Sequence, residues 1–172
     1  MRDKPALKPD RTHTAVLVVD VQGDFTVLKN GSLAVQGTDR NYIDLVNHAT
    51  QQLKSAGYKI FATQDMHPAE HISFHTNHQG RQPYETLKLE GRTQMLWPPH
   101  CIRNTPNAEI LIDRKLFCAV VEKGTDPDYD SYSGFSDDRG RKTELENILK
   151  AKGINTIIIY GLATDYCVKA TA

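Results

Sequence analysis

Short apolar runs alternate with amphipathic segments along this chain, which leaves few folds open to it. The first run, TAVLVVD at residues 14–20, stays apolar until it ends in an acid, as is typical of a strand buried on both faces. Three further runs predict strands at residues 59–63, 119–122 and 155–160.

Between these runs, the spacing of apolar residues predicts two helices. Residues 41–56 carry an apolar face that ends at Gly57, and residues 143–151 follow with Thr143 as a cap and Gly153 as a stop. Alternating strands and helices predict an α/β fold. We expect a single domain with a doubly wound, mainly parallel sheet and helices on both faces.

Three segments stand outside this alternation. Residues 1–13 are polar and contain prolines, so we expect a flexible N-terminal segment before a domain at residues 14–172. Residues 66–107 are rich in His, Pro, Asn and Gly and predict long loops. The chain ends a few residues into its last helix, so we expect the domain's final strand and helix to be missing.

Charge and hydropathy exclude several classes of function. Lys plus Arg and Asp plus Glu each number 21, so no global field favours nucleic acid or a membrane surface. No apolar run approaches the ~20 residues that span a bilayer, and residues 1–13 lack the apolar stretch typical of a signal peptide. We expect a cytoplasmic protein whose three cysteines are free thiols.

Residues with catalytic chemistry follow the predicted strands. In chain order they are Asp20, Asp65 with His67, Lys123, and the turn at residues 161–167. The carboxyl ends of parallel strands lie at one edge of a sheet, where sites form. We therefore expect these side chains to lie close together.

The cysteine in the last of these turns has the features of a nucleophile. With Thr164 as a cap, Cys167 would lie in the first turn of a helix, whose N–H groups favour the thiolate and lower the thiol pKa. The same N–H groups can bind an oxyanion. Asp20 would accept the proton, and Lys123 would orient that acid and supply positive charge.

Several histidines suggest a metal site. Asp65 and His67 are two residues apart, so in an extended segment they point to the same side. His100 could complete the set from a second loop, and two His with one carboxylate leave positions open for water or substrate.

The remaining histidines of the first loop have other readings. His71 is open between a fourth ligand, a residue behind the ligands and a loop anchor, whereas His75 and His78 are interpreted as solvent-exposed.

Six stretches together resemble the nicotinamidases, also called pyrazinamidases, of the isochorismatase-like cysteine amidohydrolases. They run in the family's order: LVVDVQGDF (17–25), GSLAVQG (31–37), TQDMHPAEHISF (63–74), WPPHC (97–101), EKGTDPDYDSYSGF (122–135) and GLATDYCV (161–168). One departure is Gly23, where the family usually has Asn.

The resemblance implies a role for each matching residue. Asp20 corresponds to the base, Lys123 to the third member of the triad and Cys167 to the nucleophile. A divalent metal is implied at Asp65, His67 and His100, with zinc preferred and iron or manganese as alternatives.

The resemblance also implies the surroundings of the substrate. The Leu162–Ala163 peptide would be cis, and the N–H groups of Ala163 and Cys167 would form the oxyanion hole. Aromatic positions that wall the ring pocket match Phe25, Trp97 and Tyr132, whose other reading is ordinary core.

The implied reaction is hydrolysis of nicotinamide to nicotinate and ammonia through a cysteine thioester, in NAD salvage, with pyrazinamide as a second substrate. The partner is then a small molecule, and homo-oligomerisation stays open.

Three alternatives stay open from the residues. A relative acting on ureido or carbamoyl substrates would keep the triad without needing metal ligands. A non-heme Fe(II) oxygenase would use the two His and one carboxylate alone, although the α/β pattern opposes its usual β-barrel. A non-catalytic metal-binding or scaffold protein would show no turnover.

Overall fold

The computed structural model describes residues 10–89 and 91–172. Most of the predicted flexible segment, residues 1–9, lies outside this range. Residues 10–13 form a turn, in which the His13 N–H donates to the Asp10 carbonyl at 3.2 Å. No helix in the described ranges has both the length and the hydropathy that a bilayer crossing requires.

The predicted parallel sheet is present. The strands are β1 (Thr14–Val19), β2 (Lys59–Asp65), β3 (Thr86–Leu89), β4 (Arg92–Met95), β5 (Ala119–Lys123) and β6 (Thr156–Gly161). Four of them form the central sheet in the order β5-β2-β1-β6, all parallel. β1 is buried along its whole length because it lies between two neighbours and under helices on both faces.

Helices cover the two faces of this sheet, as the alternation predicts. They are α1 (Arg40–Ser55), α2 (Leu145–Ala151) and the short α3 (Lys169–Thr171), which a π-helical turn (Thr164–Val168) precedes. Val16 of β1 packs in one core cluster with Ile43 of α1, and Leu17 packs in the other with Leu145 of α2. Successive strand residues therefore serve opposite faces.

The helix ends differ from the sequence prediction by one or two residues. α1 is capped by Asp39, whose carboxylate accepts the Tyr42 N–H at 3.0 Å. α2 begins at Leu145 rather than Thr143, although the Thr143 hydroxyl accepts the Leu145 N–H at 3.2 Å. Thr143 therefore caps α2 as predicted, although it lies one residue before the N-cap position.

The prediction that residues 66–107 have little regular structure is wrong in one place. β3 and β4 pair as an antiparallel hairpin. The sequences TLKL and RTQM are short and mostly polar, so they lack the apolar signal of the central strands. Gly91, with φ of 75°, supplies the left-handed residue of the turn.

Two leucines provide a test of this packing. Leu145 is fully buried, whereas Leu45 on α1 is 65% exposed. We expect Leu145→Ala to lower the free energy of unfolding by about 2–5 kcal/mol and Leu45→Ala to change it by less than about 0.5 kcal/mol. Urea unfolding followed by circular dichroism measures both, and equal losses would contradict the assignment of α2 to the core.

Candidate active site

The ammonium group of Lys123 lies at the centre of the site, at the carboxyl end of β5. Its Nζ is 2.8 Å from Asp20 Oδ2 and 2.6 Å from Asp65 Oδ1. It also donates to the Ser131 carbonyl at 2.7 Å and to Cys167 Sγ at 3.5 Å. The structure therefore brings together residues at the carboxyl ends of β1, β2, β5 and β6.

Asp20 is arranged to receive a proton. Its Oδ1 accepts the Thr63 hydroxyl at 2.6 Å, whereas its buried Oδ2 has no well-directed hydrogen bond within the described ranges. The carboxylate lies within 4.8 Å of Cys167 Sγ. Burial raises the pKa of Asp20 and outweighs the opposing charge of Lys123.

The state of the Cys167 thiol differs from the sequence prediction. The residue before the helical turn is Ala163, so Thr164 belongs to the turn and caps nothing. Cys167 is buried, and this burial raises its thiol pKa well above the ordinary value despite the nearby Lys123 ammonium. The prediction of a lowered pKa is wrong because the sequence reveals the helix end but not the desolvation. Burial therefore favours the neutral thiol of Cys167 over its thiolate.

A sharp turn brings Cys167 to the cavity. Gly161 has φ of 142°, and a Cβ at this position would lie 2.0 Å from the Val19 carbonyl oxygen, so only glycine fits there. The Leu162–Ala163 peptide is cis, as the resemblance implies. Ala163 and Cys167 both line the cavity.

Asp65, His67 and His100 form a second group beside the first. Their potential ligand atoms all lie within 4.8 Å of one another, and all three residues are buried. The Nδ1 of His67 donates to the Gly124 carbonyl and that of His100 to the Pro98 carbonyl, each at 2.8 Å. These bonds leave both Nε2 atoms as ligands, so the group can hold a divalent metal ion.

The protonation states of these imidazoles also suit a metal. Burial lowers the pKa of His100 to about 3, so its ring is neutral and can coordinate an ion. Burial would also lower the pKa of His67, but the neighbouring Asp65 carboxylate outweighs it and raises the value. A cation bound between them would replace that proton.

His71 lies beside the metal group, but its ring nitrogens are engaged elsewhere. Its Nε2 is 3.2 Å from the Tyr129 carbonyl and its Nδ1 is 2.8 Å from the Ser73 hydroxyl. Of its three readings, this geometry favours the loop anchor. His75 and His78 are half-buried rather than exposed, and His78 bonds to the Ile72 carbonyl at 2.6 Å.

Two buried side chains that were not predicted as site residues hold this group in place. Gln22 clamps Asp65: its Nε2 donates to the Asp65 carbonyl at 2.7 Å and its Oε1 accepts the Asp65 N–H at 2.8 Å. Asp24 accepts the Cys101 N–H at 2.7 Å, next to His100. Both belong to the DVQGD stretch after β1, so their position in that motif was the available signal.

An apolar cavity of about 280 Å³ opens over both groups. Phe25, Trp97 and Tyr132 line it, as the resemblance implies. The Trp97 indole N–H donates to the Tyr132 hydroxyl at 2.9 Å, which fixes two of these rings. Tyr166 was not predicted; it lines the cavity, is 45% exposed, and packs edge-on against Trp97 at 5.4 Å.

Comparisons with known proteins agree with this geometry. Residues 14–172 match the family described as Isochorismatase domain. Nicotinamidase from Acinetobacter baylyi is 44% identical over 161 residues, which cover 92% of this chain and 72% of the relative. Nicotinamidase from Escherichia coli is 42% identical over 160 residues, covering 91% and 73%.

Solved structures are similar over the same range. A nicotinamidase and pyrazinamidase from Acinetobacter baumanii superposes with a TM-score of 0.82 at 39% identity, covering 94% of this chain and 76% of that one. Pyrazinamidase from Pyrococcus horikoshii in complex with zinc gives 0.74 at 36% identity, covering 93% and 76%. The chain therefore belongs to the isochorismatase family, among its nicotinamidase-like members.

Proposed function

We propose that this protein hydrolyses nicotinamide to nicotinate and ammonia. The observation that carries the proposal is the buried contact of Lys123 with both Asp20 and Cys167, because Cys167 also lines an aromatic cavity. A nucleophile, a base and a cation are thus within reach of one another. The nicotinamidase relatives support this choice of substrate.

The first half of the reaction forms a thioester. Asp20 Oδ2 accepts the thiol proton while Cys167 Sγ attacks the carboxamide carbon. The N–H groups of Ala163 and Cys167 stabilise the oxyanion, a contribution of about 3 kcal/mol per donor in a comparable site. The C–N bond then breaks, and Asp20 gives its proton to the departing ammonia.

The second half releases the acid. The oxygen of a water molecule attacks the thioester carbon while Asp20 accepts a proton from that water. The C–S bond then breaks, and Asp20 returns the proton to the Cys167 sulfur. The raised pKa of Asp20 suits this double role, because proton transfer in both directions is most efficient when the pKa approaches the working pH.

We propose zinc as the ion held by Asp65, His67 and His100, with iron or manganese as alternatives. Two imidazoles and one carboxylate are a common zinc set, and the Pyrococcus horikoshii structure contains zinc. When bound, the ion supplies a Lewis acid for the ring nitrogen of nicotinamide. Phe25, Trp97 and Tyr132 hold the ring itself.

We extend the proposal to pyrazinamide as a second substrate, since both similar structures carry pyrazinamidase in their names. We take residues 14–172 as the catalytic domain, the range that matches the family, and place the reaction in NAD salvage in the cytoplasm. The alternative is an amidohydrolase for ureido or carbamoyl substrates. The metal group argues against it, because that chemistry needs no ligand for a ring nitrogen.

Replacing the nucleophile tests the reaction. We expect Cys167→Ala to abolish ammonia release from nicotinamide, since no other group can form the thioester. Cys118→Ala is the matched control, because Cys118 is exposed and lies outside the cavity lining; it should retain wild-type activity. Ammonia is measured with a coupled assay, with an N-carbamoyl compound as the competing substrate.

Either of two results would contradict this proposal. One is ammonia release by Cys167→Ala at the wild-type rate. The other is a wild-type preference for the N-carbamoyl compound over nicotinamide. A third result would be inactive Cys167→Ala together with a wild-type protein that stays fully active after chelation. It would support the thiol chemistry and show that the metal takes no part in it.

Two glycines test the metal group. Gly124 has φ of 64°, and an added Cβ would lie 2.4 Å from His67 Cε1, whereas Gly153 has φ of 68° and open space around it. Both alanine variants incur the same backbone strain. We expect only Gly124→Ala to weaken zinc binding, by about 10–100-fold because it displaces a ligand.

Zinc affinity is measured by competition with a chelating dye on the two purified variants and the wild type. Equal affinities for Gly124→Ala and Gly153→Ala would rule out His67 as a ligand.

A further inference from the structure

Asp130 is a buried carboxylate in the wall of the cavity, 6% exposed. Its Oδ2 accepts the Gln94 side-chain N–H at 2.5 Å and the Tyr132 hydroxyl at 3.3 Å. Gln94 lies on β4 of the hairpin and is itself buried. The carboxylate is therefore held in one orientation from two sides.

The other oxygen of Asp130 is not used in this network. Among the residues that the structure describes, no donor reaches Oδ1, and Asp130 lines the cavity. Burial and then the Asp130 charge raise the pKa of Tyr132, so that hydroxyl stays protonated and remains a donor. A negative charge thus adjoins the space where the ring would bind.

We propose that Asp130 is a specificity residue that disfavours the anionic product and so favours its release. The proposal rests on the function proposed above. The substrate carboxamide and the product carboxylate have almost the same shape, so packing against the cavity walls cannot separate them. They differ in charge, and a buried charge acts strongly in a cavity with little water.

The rest of the site makes such a residue useful. Lys123 carries a positive charge, and a divalent ion at Asp65, His67 and His100 would add two more. Asp20 and Asp65 balance part of this positive charge. The remainder attracts a carboxylate, and the reaction turns a neutral ligand into one. Without an opposing charge beside the ring, the product would compete strongly with the next substrate molecule.

The dissociation constants of two ligands, each measured on two variants, test the proposal. Metal-loaded Cys167→Ala binds without turnover, so calorimetry can give the dissociation constants of nicotinamide and nicotinate, with and without Asp130→Asn. Asn can keep its side-chain oxygen toward Gln94 and Tyr132 and removes only the charge. We expect Asp130→Asn to lower the dissociation constant of nicotinate about tenfold, the effect of removing one unit charge several ångströms away. The dissociation constant of nicotinamide should change less than about twofold.

Two further variants act as controls. Asp138→Asn makes the same change at an exposed residue on the same loop that does not line the cavity, so it should leave both constants near their starting values. Asp130→Glu keeps the charge and should keep weak nicotinate binding. This variant still tests the role of the charge if Asp130→Asn fails to fold.

Several outcomes would overturn the proposal. Unchanged nicotinate binding would mean that the charge has no effect, and equal shifts for both ligands would mean that Asp130 only shapes the wall. A shift of the same size in Asp138→Asn would mean that any nearby charge suffices. These failures are distinct from failure of the proposed function, which would appear as a wild-type protein that releases no ammonia from nicotinamide.

Discussion

The ion-paired ammonium of Lys123 is the interaction on which the rest of this structure depends. Its side chain has no exposure to solvent, and removing such a charge from water costs several kcal/mol unless partners replace the hydration. Asp20 and Asp65 provide that replacement, and they raise the pKa of Lys123 well above its ordinary value although burial opposes this. The charge is therefore kept.

Sheet register produces this arrangement directly. Asp65 and Lys123 face each other as partners in the ladder between β2 and β5, and Asp20 directly follows β1. A slip of one residue in either pairing would turn a charged side chain to the opposite face. The position of the site is thus a consequence of strand pairing, and the surrounding loops adjust to it.

The sequence predicted what depends on local pattern. The four central strands and the convergence of Asp20, Lys123 and Cys167 follow from apolar runs that end in polar residues, a signal contained within each segment. The protonation of Cys167 could not be predicted, because its desolvation depends on side chains from distant parts of the chain. The hairpin of β3 and β4 was missed for a related reason: its stability comes from contacts such as that of Gln94 with Asp130, which its own residues do not reveal.

Asp65 serves both halves of the site, with one oxygen on the lysine ammonium and the other facing His67 at 3.5 Å. Transferring only the two histidines to another protein would therefore not reproduce this metal group. A bound metal ion would draw electron density from the Asp65 carboxylate, which also neutralises the lysine. The recipient protein would therefore need a further anion to balance the lysine charge. Any change at Asp65 would therefore alter the charge around His67 and around Lys123 together.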